Sequence, residues 1–529
     1  MTHGYKPLSM CLLPRIFYKL THALLQRIKR VDQLFINFAR KEQLSYKPTK
    51  MSTCVVTTFL LLLAMANSMS CLPELNTTLT TTTITVQHAQ AKLLQAKNWV
   101  QYSSMELHGL DRESSNNVGL ALRDCNKLYA ESEPRLSRLV SGATSRYTVD
   151  DALTWLGAVL ANHRSCLEGL AEKGFVEAQS HLAAQNLTTS LGEALALYSK
   201  MKSTSKEKIQ VSEAQKTGPN TNGGLLASWN PATSKADFVV AKDGSGTHRT
   251  INEAVAALAR MGRGRGQRTI IYVKAGVYNE KVEIGRKLKN VMFVGDGMGR
   301  TIVTGSRNVP DGATTISSAT FGVSGDGFWA RDMTFENTAG PQKHQAVALR
   351  VSSDLSVFYR CGIIGNQDTL YAHSLRQFYR DCHIYGTVDF IFGDAPVVIQ
   401  NCDIFVRKPM SHQGNMITAQ GRDNPNENTG ISIHASRVRP AADLVPVKGA
   451  FRSYLGRPWK KYARTVFLKT DLDGLIDPKG WKEGSGDFAV STLFHVLNSD
   501  QQASPFSVGS FIQGGSWIPV TGVPFSIGI

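Results

Sequence analysis

The sequence predicts two parts of unlike class: an all-α helical bundle over residues 71–202 and an all-β parallel β-helix over residues 237–529, joined by a linker over 203–236. Two observations predict the β-helix. From Phe238 onward, short β-rich runs (FVVA, TIIYVKAGVY, NVMFVG, TIVTG) follow one another with Gly, Asn and Asp between them. A repeat then appears. Phe358-Tyr359-Arg360-Cys361 returns as Phe378-Tyr379-Arg380-Asp381-Cys382 and again as Ile399-Gln400-Asn401-Cys402, at intervals of 21 and 20 residues. That interval is about one turn of a parallel β-helix. A third observation predicts the bundle: Leu153, Leu156, Val159 and Leu160 share one helical face, and Leu191, Ala194, Leu195 and Tyr198 repeat the spacing.

Taken in order, residues 1–50 are a basic extension that precedes Met51, an alternative start. Val55–Ala66 (VVTTFLLLLAMA) is too short to span a bilayer comfortably. Basic residues precede it and small residues follow it, so residues 51–70 read as a signal peptide or signal anchor. Sequons at Asn76 and Asn186 fit export and glycosylation. Thr148-Val149-Asp150-Asp151 has capping-box form and opens a helix. Cys125 and Cys166 are placed to staple two helices. The linker is rich in Ser, Lys, Thr, Asn and Gly and poor in large apolar residues. One helix interrupts the β-rich part, with Thr250-Ile251-Asn252-Glu253 as its capping box.

A net charge of +17 comes mainly from two regions. Residues 1–50 carry 10 Lys+Arg against 2 Asp+Glu, and residues 237–529 carry 33 against 25. A basic surface suits a polyanionic partner. No CxxC occurs among the 8 cysteines, so zinc ribbons and thioredoxin-type redox motifs are absent. No G-x-S-x-G elbow accompanies His344 or His373, which read as packed or solvated histidines.

The repeat that stacks the cysteines stacks two acids as well. Asp368 and Asp389, in GNQDTLY and GTVDFIFG, are also 21 residues apart. Carboxylates on neighbouring turns cannot both ionise freely, so one pKa is expected to rise. That separates an acid from a base or nucleophile, and the flanking aromatic residues would exclude water. The same register puts the Cα atoms of Cys361 and Cys382 within disulfide range, and a bridge between them is expected. Cys402 is left over as a small apolar core residue.

GNQDTLY (365–371), GTVDFIFG (386–393), QAVALR (345–350) and LGRPW (455–459) together resemble the plant pectin methylesterases. GPQKHQAVALR and the ending GSFIQGGSWIPVTGVPF add to the likeness, which covers roughly residues 237–529. The bundle ahead of it is similar to the family's inhibitor-type pro-region. The resemblance implies a right-handed parallel β-helix that hydrolyses galacturonate methyl esters in pectin. It implies Asp389 as nucleophile, Asp368 as acid and then base, and Gln367 and Gln345 as amide donors to the oxyanion. It implies substrate contacts at Thr315, Arg457 and Trp459; the basic charge of the region separately suggests Lys460 and Lys461 as rim cations that hold an anionic product.

The resemblance further implies pectin as partner, a proteinaceous inhibitor as a second partner, no nucleic acid, no cofactor or metal, a monomer, and a secreted protein of the cell wall. Three features differ from the family pattern. Only Cys71 precedes Cys125; Gly223-Gly224-Leu225-Leu226 stands where a dibasic-Leu-Leu processing site is usual; and the chain passes from Ser491-Thr492-Leu493-Phe494 directly to His495-Val496-Leu497. Two other readings stand beside the esterase: a polygalacturonase or lyase on the same fold, and a pectin-binding or inhibitor-type protein with an impaired β-helix.

Overall fold

The computed structural model describes residues 80–105, 112–141, 147–204, 224–262, 268–482 and 496–529. The extension over 1–50, the apolar run over 51–70, Cys71 and the junction after Phe494 lie outside the described residues. Among the described residues, four helices form the bundle: α1 (80–105), α2 (Arg112–Val140), α3 (Val149–Glu172) and α4 (Leu182–Thr204). Thr148 caps α3 as its sequence pattern requires. Its side chain accepts from the Asp151 N–H while the Asp151 side chain accepts from the Thr148 N–H. The faces that carry Leu153, Leu156, Val159 and Leu160 on α3, and Leu191, Ala194, Leu195 and Tyr198 on α4, are all buried. Cys125 and Cys166 form the expected disulfide between α2 and α3.

From Phe238 the chain winds into coils of three strands, and every strand pair is parallel because every coil runs the same way. The strands assemble into sheets of nine, seven and seven. One coil holds Ser356–Tyr359, Gly362–Ile364 and Leu370–Ala372; the next holds Gln377–Arg380, His383–Gly386 and Ile391–Gly393. Val357 pairs with Phe378 and Phe378 with Val398, so the 21- and 20-residue intervals of the sequence are the observed register. Crossovers between parallel strands of one sheet take the right hand, because twisted strands pack back on the sheet only that way.

Six successive coils turn their first corner through one non-glycine residue in the left-handed region. Asp332, Arg360, Asp381, Asn401, Ala435 and Lys469 have φ between 45° and 57°. This conformation is costly for a residue with a side chain. It recurs because the bend it makes lets the following residue, Met333, Cys361, Cys382, Cys402, Ser436 or Thr470, lead into the next strand. An aromatic ladder fills the interior, with Phe358 stacked on Tyr379 at 4.8 Å between centroids.

The three cysteines of the ladder are free and buried, so the expected Cys361–Cys382 bridge does not form. In-register parallel strands point equivalent Cα–Cβ bonds the same way. The β-carbons therefore stay about a strand spacing apart, roughly 4.8 Å, beyond the range of about 3.5–4.5 Å that a disulfide needs. The thiols instead hydrogen-bond to carbonyls: Cys382 Sγ donates to Phe358 and Arg380 at 3.4 Å each. Cys402 is buried in the same ladder, as expected.

The helix Ile251–Met261, capped by Thr250 and Glu253, buries Ile251, Ala254, Val255 and Leu258 in the β-helix core. The C-terminal segment packs Val508, Phe511, Trp517 and Ile518 on the outer face of the nine-stranded sheet, together with Leu226 and Trp229 from the end of the linker. Gly224 approaches Gly522 so closely that a β-carbon would lie 2.2 Å from its nitrogen. Only glycine fits there.

Thiol mapping checks this core. Under non-reducing denaturation, Cys361, Cys382 and Cys402 should alkylate, while Cys125 and Cys166 should do so only after reduction. Removing the Cys125–Cys166 bridge, whose residues are 41 apart, should destabilise the bundle by about 4 kcal/mol on the chain-entropy model.

Candidate active site

Asp368 and Asp389 sit in the turns that lead into Leu370–Ala372 and Ile391–Gly393. Both adopt left-handed backbone, φ 61° and 51°, which Asp tolerates better than most residues. Leu370 pairs with Ile391, and the Asp368 N–H donates to the Val388 carbonyl at 3.1 Å. The two aspartates are therefore stacked equivalents, one coil apart, and both are at least nine-tenths buried. Gln345 pairs with Gln367 through a parallel bridge one coil earlier.

Arg457 comes from the strand Ser453–Pro458, where it pairs with Ala419. Its guanidinium forks onto Asp389. Nε donates to Oδ1 at 2.9 Å and a terminal nitrogen donates to Oδ2 at 2.5 Å. This fork, charge-assisted and bidentate, is the strong kind of hydrogen bond. Asp368 has no such partner among the described residues. Burial pushes its pKa well above the ordinary carboxylate range, and the negative charges of Asp389 and then Glu172 push the same way, against Arg457. Two aspartates of one register thus stand in different surroundings: one forked to a guanidinium, one buried where its charged form is disfavoured.

Beside them, Tyr371 stacks on Phe392 at 4.2 Å, and Trp459 lies 5.9 Å from Phe392. A cavity of about 490 Å³ brings together Thr315, Gln345, Gln367, Asp368, Asp389, Arg457 and Trp459, which are all seven of the site residues expected from the sequence apart from the cysteines. The cysteine pair lies in the core, away from this cavity.

The other wall of the cavity was not legible in the sequence. It is α3, through Ser165, Glu168, Gly169 and Glu172. Thr315 donates its N–H and hydroxyl to the Glu172 carboxylate at 2.9 and 2.6 Å. Lys460 lines the cavity, and its ammonium is ion-paired with Glu168 of α3 at 2.6 Å. Ser165 bonds both Tyr371 and His373. Burial holds His373 neutral, its pKa lowered to about 3. Burial likewise raises the Glu168 and Glu172 carboxyls. The one hint in the sequence is the spacing of Ser165, Glu168, Gly169 and Glu172, a polar and small-residue stripe on an otherwise buried helix.

The family models divide the chain in the same sense. The Pectinesterase model matches residues 237–504, and the model for the plant invertase/pectin methylesterase inhibitor matches residues 64–206. A probable pectinesterase/pectinesterase inhibitor of Arabidopsis thaliana, numbered 36, is 60% identical over 458 residues, covering 78% of this chain and 87% of its own. Pectinesterase 2 of Citrus sinensis is 49% identical, covering 77% and 82%. Among solved structures, the pectin methylesterase from carrot is 50% identical, with a TM-score of 0.54, over 57% of this chain and all of its own. With a matching family model over half its length and relatives of this identity across most of both chains, the protein belongs to the pectinesterase family and carries an inhibitor-type helical region ahead of its β-helix.

Proposed function

We propose that the stacked aspartates hydrolyse the methyl esters of galacturonate in pectin, with Asp389 as nucleophile and Asp368 as acid and base. The observation that carries this reading is the unlike surroundings of two like residues. The fork from Arg457 holds the Asp389 carboxylate aimed into the cavity. Its carboxylate attacks the ester carbonyl carbon. The oxyanion that forms is stabilised by side-chain amide N–H groups of Gln345 and Gln367, which are worth most where charge develops only in the transition state. The intermediate collapses by breaking the bond to the methoxyl oxygen, and the Asp368 proton goes to that oxygen as methanol leaves. Asp368, now a carboxylate, takes a proton from water. The hydroxide attacks the galacturonyl carbonyl of the acyl-Asp389 intermediate, the bond to the Asp389 oxygen breaks, and the galacturonic acid formed gives its proton to solvent as pectate leaves; Asp389 is again free and Asp368 again protonated.

Trp459, Tyr371 and Phe392 supply an apolar wall suited to a sugar ring, and Thr315 and Arg457 supply polar contacts to it. The basic β-helix suits a polymer that gains a carboxylate at each turnover. No cofactor enters this scheme. Secretion to the cell wall fits the apolar run at Val55–Ala66 and the location of the substrate. We further propose that the bundle is a cover. A polysaccharide needs an open groove, and with Glu172 on Thr315 and Ser165 against Tyr371 one side of the groove is walled off by α3.

Methanol and reducing ends report different bonds, so an assay on methylated pectin separates an esterase from a glycosidase. Methanol should appear with the bundle removed, and reducing ends should not. Asp389→Asn should fold normally and lose about 10³-fold or more of that methanol release. Gln367→Ala should lose about 10²- to 10³-fold in kcat. A folded Asp389→Asn with near-normal turnover removes the assignment.

Coverage should depend on pH. Glu172 faces Thr315, Glu168, Lys173 and Asp368 in the docked chain, and its raised pKa means that docking binds a proton. That contribution is complete below the ordinary carboxyl pKa of about 4.3 and fades as pH climbs through the raised value. Methanol release by the intact chain should therefore increase as pH climbs above the ordinary carboxyl range. Glu172→Gln, which does not titrate, should show a flatter rise; an equal rise in both would rule out Glu172 as the sensor.

A further inference from the structure

Arg164 lies one helical turn before Glu168, and its guanidinium leaves the bundle altogether. Its terminal nitrogens donate to both oxygens of Glu427 at 2.8 Å, to Asp394 Oδ2 at 2.9 Å and to the Gly421 carbonyl at 2.9 Å. Asp423 stands 3.9 Å from Nε. The acceptors are held in place by the β-helix itself. Glu427 takes backbone N–H bonds from Asp423 and Asn424 at 3.3 and 2.9 Å. Asp394 takes Thr429 Oγ1 at 2.6 Å and Gln420 Nε2 at 3.1 Å. The Glu427 side chain is fully enclosed, and those of Asp394 and Arg164 are nearly so.

Arg164, Asp394 and Gly421 line a small pocket that adjoins the catalytic cavity and shares Ser165, Glu168, Tyr371, Trp459 and Lys460 with it, but neither they nor Glu427 line the catalytic cavity itself or serve the scheme above. The nest holds the carboxyls of Asp394 and Glu427 side by side, with Arg164 as the guanidinium that bonds both at once. A planar fork matches two carboxylates; an ammonium, as a point charge, does not. The helix lies close to the β-helix here. A β-carbon on Gly157, two turns before Arg164, would already touch Thr429 at 3.7 Å and Glu427 at 3.9 Å.

We propose that Asp394, Glu427 and the Gly421 carbonyl form a guanidinium-recognition site by which the β-helix holds its inhibitor-type bundle, so that cutting the linker alone does not open the active site. The proposal rests on the reading of the bundle as a cover and adds what retains it. The occupant is the chain's own Arg164. Its departure takes from two acids the one guanidinium that bonds both, which makes separation slow.

The test uses the full chain with a protease site placed within residues 205–223 and cut after folding. The two pieces of the nicked wild type should co-elute on gel filtration and release little methanol. Nicked Arg164→Ala should separate at least about 30-fold faster, the loss expected when one partner of an enclosed charge pair is truncated. Arg164→Lys should fall between, because the ammonium cannot fork. Glu427→Gln and Asp394→Asn attack the site from the other side. The double variant Arg164→Ala/Glu427→Gln should separate no faster than Arg164→Ala alone, since the pair is then already broken. Free L-arginine should hasten separation of the nicked wild type more than L-lysine at equal ionic strength.

Thermal melting of the released β-helix should be the same in Glu427→Gln and wild type, which sets apart a docking role from a folding role. The proposal is overturned if nicked wild type separates at once, if nicked Arg164→Ala separates at the wild-type rate, or if arginine and lysine act alike. Co-elution is read without any activity. A released wild-type β-helix that yields no methanol would instead sink the esterase reading and leave the retention result standing.

Discussion

One coil of the β-helix stacks directly on the next, and parallel strands at about 4.8 Å repeat whatever the previous coil placed. The left-handed corner residues, the aromatic ladder and the thiol ladder are all consequences of that repetition. So is the site: Gln345 above Gln367, and Asp368 above Asp389. The same stacking that brings the carboxylates together keeps Cys361 and Cys382 apart as thiols, because equivalent side chains run parallel and never converge. Reactive groups gain from parallel alignment at a strand spacing, whereas a disulfide needs its β-carbons turned toward each other.

Stacking supplies two like acids, and the surroundings make them unlike. Arg457 arrives from a strand two coils beyond that of Asp389 and forks onto that carboxylate. Asp368, enclosed and beside a negative neighbour, keeps its proton. Two carboxyls of one register are thereby set in unlike surroundings without a histidine between them. His373 follows Asp368 closely in the chain but does not serve it. It is enclosed among Ser352, Ser165 and Tyr371 and stays neutral.

The face that carries these groups is also the face that the bundle covers. The contact is rich in charge: Arg376 with Asp151 and Asp354, Arg135 with Asp326, Arg164 with Asp394 and Glu427, Lys460 with Glu168. Aromatic and aliphatic residues of the groove, among them Tyr371, Phe392, Ile316 and Ala419, pack into the bundle's own core cluster. Enclosed ion pairs add little net stability over apolar contacts but make the contact specific to one geometry. An interface of this kind suits a partner that must be held in place and later let go.

Whatever repeats in this protein could be read from residue order alone. Period in the strands, a 20- to 21-residue recurrence and two capping boxes are local patterns, and backbone stacking carries them into space without rearrangement. The β-helix and the pairing of Asp368 with Asp389 were legible for that reason, whereas Gln367 was legible only through the family resemblance. Features that depend on direction, or on elements far apart in the chain, emerged only on folding. Side-chain direction left the ladder cysteines free. The docking of α3 put Glu172 on Thr315 and Glu168 on Lys460, and carried Arg164 across some 230 to 263 residues of sequence to Asp394 and Glu427. No period in the sequence encodes such contacts, because they arise between two surfaces, each of which folds by its own rules.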